Sequence, residues 1–317
     1  MNRKASIQIR AEDAGRTVLD FLCRRFTYHD RIRWEEIIRE GKVRLNGEPP
    51  LPDTPLTPRD ILAYEGFDET EPPVRIDYEI LYEDEILLGV NKPGNLPCHP
   101  GGRYFKHTLW HLLTTRYGPA PHYFVNRIDR ETSGMVLVAK SPVVARDCGR
   151  QFAEGSVQKR YLVGVFGDFP PETVFAQGGI CRDDASPVHK KQRFLPLDLL
   201  NRYPHPVKTC RTDFKRLRRN QGLSLLSAEP LTGRLHQIRA TLFSLGYPVV
   251  GDKIYGPDDT VFLRFIEDRM TAGDRNRLIL SRQALHAESL HFRHPVTGRE
   301  MHWSAPLPED MARLFKR

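Results

Sequence analysis

The amino-acid sequence predicts an α+β fold: a mixed, mostly antiparallel sheet with flanking helices, preceded by a small α/β module. Three patterns lead there. Beyond residue 75 the apolar residues recur mainly with the period of strands. Strand follows strand there, without the regular alternation with helices that builds a parallel sheet. The first 66 residues carry two helical stripes and a hairpin instead.

The stretch Gly15-Arg16-Thr17-Val18-Leu19-Asp20-Phe21-Leu22 opens a helix with Val18, Leu19 and Leu22 on one face, and Trp34, Ile37 and Ile38 give a second helix the same spacing. Glu40-Gly41 stops it, and Lys42-Val43-Arg44-Leu45 alternates as a short strand into the turn Asn46-Gly47. Pro-rich and acidic residues over 49–73 form a long connection with one strand, 61–64. The expected division is a module over 1–66, an acidic linker over 67–75 and a larger domain over 76–317. Within that domain 80–82, 86–91 and 135–139 read as strands, 157–166 and 223–229 as extended, and 142–154 and 306–316 as helical.

With 317 residues, 39% hydrophobic and 28% charged, the chain can bury a substantial core. No run approaches the roughly 18 apolar residues of a membrane helix, and Met1-Asn2-Arg3-Lys4 leads into alternating residues, so no membrane partner and a cytoplasmic location are expected. The five cysteines are scattered, with no Cys-x-x-Cys pair, and read as free thiols. His107 and His111 lie at helical spacing without the glutamate of a metalloprotease helix, so no metal is expected. A net charge of +8 and a pI near 9.3 favour an acidic partner such as nucleic acid. The positive charge concentrates in Arg202, Lys208, Arg211, Lys215, Arg216, Arg218, Arg219, Arg234 and Arg239, opposed in that stretch only by Asp213 and Glu229.

Three segments carry candidate chemistry. Arg127-Ile128-Asp129-Arg130-Glu131-Thr132-Ser133-Gly134 runs into an apolar strand; Lys159-Arg160-Tyr161-Leu162 lies in a second; and Leu231-Thr232-Gly233-Arg234-Leu235-His236-Gln237-Ile238-Arg239 precedes Gly251-Asp252 and Tyr255-Gly256. Taken singly, Asp129 also fits a turn cap, Tyr161 a core aromatic, and Leu235 and Ile238 core or pocket wall. As an ordered set, together with Val90-Asn91-Lys92-Pro93-Gly94 and His99-Pro100-Gly101 upstream, the segments resemble the RluA-type RNA pseudouridine synthases over about residues 76–305. Two positions depart from that pattern: Asn126 stands where the family has His, and Ala240-Thr241 where Val-His is common.

The resemblance implies a pseudouridine synthase fold and an isomerase that turns specific uridines of structured rRNA or tRNA into pseudouridine. It implies Asp129 as nucleophile, Arg239 as the cation beside it, Tyr161 stacked on the uracil and taking its C5 proton late in the reaction, and Arg127 in the gap left by the flipped base. By themselves, Arg239 equally fits an ion pair with any core acid and Arg127 a phosphate contact. Arg234 is a candidate phosphate contact. The first module resembles the S-four RNA-binding domain, which implies that Arg16, Arg31, Arg33 and Lys42 face phosphates. That domain usually has Gly-Asp where Arg59-Asp60 stands.

The chemistry suits the residues. Moving uracil from an N–C to a C–C bond on the same sugar adds nothing and removes nothing, so no cofactor is expected, and a monomer suffices. A carboxylate is the natural partner of an oxocarbenium-like sugar carbon. A non-catalytic RNA-binding or ribosome-assembly factor on the same scaffold is the alternative. A zinc nucleobase deaminase is disfavoured, because its His-x-Glu and Pro-Cys-x-x-Cys spacings are missing.

Overall fold

The computed structural model describes residues 3–26, 30–66, 71–203 and 206–316; side chains at 3–5, 65–66 and 201–202, Arg202 among them, lie outside that set, as do residues 67–70 of the expected linker. The chain forms two compact units, residues 1–73 with 99–111, and residues 74–98 with 112–317. The segment 99–111, which the sequence reading put in the larger domain, is tied into the first unit by Glu71. Its carboxylate accepts the backbone N–H groups of Phe105, Lys106 and His107 at 2.9, 2.8 and 2.8 Å.

In the first unit, β1 (Arg3–Gln8), β3 (Ile61–Gly66) and β2 (Val43–Leu45) form an antiparallel sheet in that order, beside α1 (Val18–Arg25) and α2 (Arg31–Arg39). Thr17 and Asp30 cap the helices, accepting the N–H groups of Asp20 and Arg33 at 3.1 and 2.8 Å. The apolar stripes meet as expected: Val18, Leu19, Leu22, Trp34, Ile37 and Ile38 are all buried in one core. Arg59, at φ 78°, takes a left-handed conformation that glycine adopts more readily.

The second unit is organised by an eleven-stranded sheet. Its strands are β4 (Glu79–Glu83), β5 (Leu87–Lys92), β6 (Tyr123–Phe124), β7 (Ser133–Ala139), β8 (Gln158–Phe166), β9 (Val174–Arg182), β10 (Gln192–Pro196), β11 (Lys208–Asn220), β12 (Leu223–Pro230), β13 (Leu285–Arg293) and β14 (Glu300–Ser304). The main path runs β10-β9-β11-β12-β8-β13-β7-β5-β4, with β14 beside β13 and β6 beside β7. Every pairing is antiparallel except that of β13 with β7, where His286 and Ala287 oppose Ser133 and Gly134. This is the mixed, mostly antiparallel α+β arrangement that the strand-period pattern predicts.

The parallel junction positions the site. Gly134, at φ 111°, lies so close to β13 that an added Cβ would sit 2.1 Å from the Ala287 carbonyl oxygen, so no other residue fits there. On the other side of β13, Ala287 opposes Tyr161 of β8, which brings the second motif next to the first. The helices of this unit include α4 (Pro142–Glu154), α5 (Gln237–Ser244), α6 (Thr260–Ile266), α7 (Ala272–Leu278) and α8 (Glu309–Leu314); α3 (Leu109–Tyr117) begins in the first unit and ends in this one. Helix α4 carries its own signals: Ser141 accepts the Val144 N–H, Pro142 opens the first turn, and Gly155, at φ 75°, ends it. Among the described residues, no helix is long and apolar enough to cross a membrane.

Candidate active site

The loop from β6 to β7 presents Asp129 and is held along its length. Asn126 behaves as an extra strand residue, donating from Nδ2 to the Met135 carbonyl at 3.2 Å and accepting the Leu137 N–H at 2.7 Å. The replacement of the family's histidine therefore secures the loop base. Further on, the Asp129 carbonyl accepts the Thr132 N–H at 3.1 Å, and the Arg130 carbonyl accepts Leu96 N–H at 3.0 Å and buried Lys92 Nζ at 3.2 Å. The Glu131 carboxylate takes Lys253 Nζ at 2.9 and 3.0 Å, while its carbonyl accepts Arg282 Nη1 at 3.3 Å.

Arg239, on the first turn of α5, is 4% exposed and fixed from three directions. Its Nε and Nη2 donate to the two oxygens of fully buried Asp252 at 2.6 and 2.8 Å, a fork-to-fork pair. Asp252 in turn accepts the N–H groups of Ile254 and Tyr255 at 2.9 and 3.1 Å. The guanidinium lies 5.0 Å from the centre of the Tyr255 ring. The third nitrogen is left for the loop: Nη1 reaches Asp129 Oδ2 at 2.8 Å. Gln283 Nε2 approaches the same oxygen at 3.4 Å, and His236 Nε2 lies 4.0 Å from it. Among the described residues, no hydrogen bond reaches Oδ1, so one carboxylate oxygen is clamped and the other is left without a protein donor.

Electrostatics follow from this geometry. Burial pushes the Asp129 carboxyl upward, but the charge of Arg239, with His236 and the hydrogen bonds from Arg239 and Gln283, outweighs it and holds the pKa at about 2. Burial and then the charge of Asp129 push the Tyr161 phenol up to about 12, so it is neutral at physiological pH. Arg239 is lowered by burial, yet the Asp252 and Asp129 charges more than reverse this and keep it cationic.

These groups share a cavity of about 130 Å³ lined by Arg127, Asp129, Tyr161, Arg234, His236 and Arg239, with Lys159, Gln237, Ile238 and neighbouring loop residues completing it. The five expected site residues of the larger domain thus meet. Arg127 and Arg234 are exposed at the rim, and Arg234 Nε donates to the Thr209 carbonyl at 3.1 Å. Ile238 is pocket wall, whereas Leu235 is 55% exposed and belongs to neither core nor wall. The four expected cations of the first unit each face an acid there: Arg16 with Asp13 at 3.4 Å, Arg31 with Asp20 at 2.7 Å, Arg33 with Glu36 at 3.0 Å, and Lys42 with Glu40.

Sequence reasoning missed Asp252, His236, Tyr255 and Gln283 as parts of the site. Three of them stand in quoted motifs without a role; Gln283 stands in none.

The mixed, mostly antiparallel sheet is the fold of a pseudouridine synthase. The family model for RNA pseudouridylate synthase matches residues 86–244, and the chain belongs to that family of isomerases. It is 33% identical to a ribosomal large subunit pseudouridine synthase D of Nitrosomonas europaea over 78% of this chain and 67% of that one. It is 28% identical to a ribosomal large subunit pseudouridine synthase C of Pasteurella multocida over 98% of this chain and 92% of that one. The solved structure of human RNA pseudouridylate synthase domain containing 1 covers 75% of this chain and 86% of its own, with a TM-score of 0.57 at 26% identity.

Proposed function

We propose that the chain isomerises specific uridines in rRNA or tRNA with Asp129 as the nucleophile. The observation that carries this is the asymmetry of its carboxylate: Oδ2 is held by Arg239, while Oδ1 accepts no hydrogen bond among the described residues and Asp129 lines the cavity. Attack on the sugar carbon, addition to the uracil ring and removal of a sugar proton all begin from that ionised oxygen. A cavity of about 130 Å³ suits one extruded base and little more, which calls for base flipping out of structured RNA.

In this reading Tyr161 supplies the face on which the uracil stacks. With its phenol pushed up to about 12, it serves as a neutral ring rather than a phenolate base. Arg127, exposed two residues before Asp129, fills the place the base vacates, and Arg234 holds a phosphate at the rim. Within the first unit, residues 1–66 act as an S-four-like RNA module whose Arg16, Arg31, Arg33 and Lys42 exchange their acidic partners for phosphates. The bacterial relatives named for the ribosomal large subunit make rRNA the first substrate to test. The reaction asks for no cofactor or metal, and one chain supplies every group named, so a cytoplasmic monomer is the simplest form. The test is release of tritium from C5-labelled uridine in unmodified large-subunit rRNA and in tRNA. Release from either supports the reading, and no release from any RNA overturns it.

A further inference from the structure

His236 lines the cavity with one ring nitrogen engaged and the other without a protein hydrogen-bond partner among the described residues. Its side chain is only 5% exposed, and its backbone is left-handed, at φ 55°, just before the first turn of α5. On one side Nδ1 lies 3.0 Å from the Tyr255 hydroxyl. That hydroxyl accepts the Gln192 N–H at 2.8 Å, and Tyr255 is fully buried. The phenol still has a proton to place, and among the described residues its acceptor is His236 Nδ1. The imidazole then carries its own proton on Nε2. On the other side Nε2 has no hydrogen-bond partner among the described residues; its nearest recorded contact is Asp129 Oδ2 at 4.0 Å, and the cavity opens onto it. A donor at the cavity that no protein acceptor takes is available to a ligand that brings one.

We propose that His236 donates its Nε2–H to a carbonyl oxygen of the target uracil and steadies the ring's negative charge while its glycosidic bond is open. The inference rests on the reading of Asp129 as the nucleophile. When the C1′–N1 bond breaks, its electron pair passes to the uracil ring and spreads over N1 and the two carbonyl oxygens. A neutral N–H stabilises that charge without giving up its proton, so C5 can bond to C1′; the C5 proton then leaves to water, as the tritium assay reads, and N1 takes up a proton in its place. An imidazolium would protonate the ring and release free uracil. Burial, reinforced by the nearby Arg239 charge, pushes His236 down to about 3, which keeps the imidazole neutral at physiological pH.

The test uses the full chain in single-turnover tritium release, with RNA binding measured in parallel. Changing His236→Ala is expected to slow turnover about 100-fold, as for loss of one oxyanion donor, with RNA affinity unchanged. His236→Asn, which tolerates the left-handed backbone and offers an amide N–H, is expected to recover about 10-fold of that loss. Nitrogen NMR of the wild type with labelled histidine is expected to show His236 protonated at Nε2 and not titrating across neutral pH. A His236→Ala rate equal to wild type, equal losses in the Ala and Asn variants, or a proton found on Nδ1 would each overturn the proposal. An Asp129→Asn variant run alongside separates the two readings: normal turnover there sinks the nucleophile, while an inactive Asp129→Asn with an unimpaired His236→Ala sinks only this inference.

Discussion

The two units use arginine–carboxylate pairs in opposite ways. In the larger unit, Arg239 and Asp252 are 4% and 0% exposed and joined by two hydrogen bonds, with a third bond to Asp129. In the first unit, Arg31 and Asp20 keep side-chain exposures of 63% and 48% and meet through one bond. The buried pair has shed its water, and each member is tolerable only because the other is there. The exposed pair retains its water, contributes little and can change partners. Charge in one unit holds Asp129 in place at the cavity; charge in the other is paired at the surface, within reach of water.

Breaking the buried pair should give the largest effect. Asp252→Ala leaves Arg239 buried with half its partners and is expected to cost about 3–5 kcal/mol in denaturant unfolding, with turnover lost. The same contrast appears in pH. Asp252 and Asp129 are pushed up by burial, but Arg239 brings both below the ordinary carboxylate value of 3.8, Asp129 to about 2. The stability they contribute is complete above about pH 4 and is lost as pH falls through those lowered values. Unfolding midpoints measured from neutral pH downward should therefore hold until about pH 4 and drop below it, with little change on adding salt.

Replacing Arg16, Arg31, Arg33 and Lys42 together by Ala tests the other half of the comparison. Stability should change little, while the salt dependence of RNA binding should flatten by up to about 3–4 in log–log slope. Equal RNA affinity and slope in this variant would break the assignment of that unit to phosphates. The smallest effect is expected at Arg59→Gly, which relieves the left-handed backbone at φ 78° and should stabilise the first unit by up to about 1 kcal/mol.

What the sequence made legible follows how local each signal is. Helix α4 announces itself with Ser141, Pro142 and Gly155, and the structure spans the same residues, 142–154. Strand β11 does not. Its buried face, Cys210, Thr212 and Phe214, is interrupted by Arg211, Asp213 and Lys215, so the segment reads as a basic cluster before it reads as a strand. Its charges are also less free than the sequence suggests, since Arg211 pairs with Asp213, and Arg216 and Arg219 both reach Asp168. At the site, Asp129, Tyr161 and Arg239 were legible as members of ordered motifs. Asp252 sits 13 residues from Arg239 and Gln283 154 from Asp129, distances over which a single sequence carries no pairing signal.

The central claim is that the carboxylate clamped by Arg239 performs the chemistry. Asp129→Asn keeps the size and a hydrogen-bond acceptor while removing the charge, so RNA binding and folding should persist. In single-turnover tritium release on an RNA the wild type modifies, the expected result is no detectable turnover with RNA affinity within about twofold of wild type. Turnover at the wild-type rate would contradict the account.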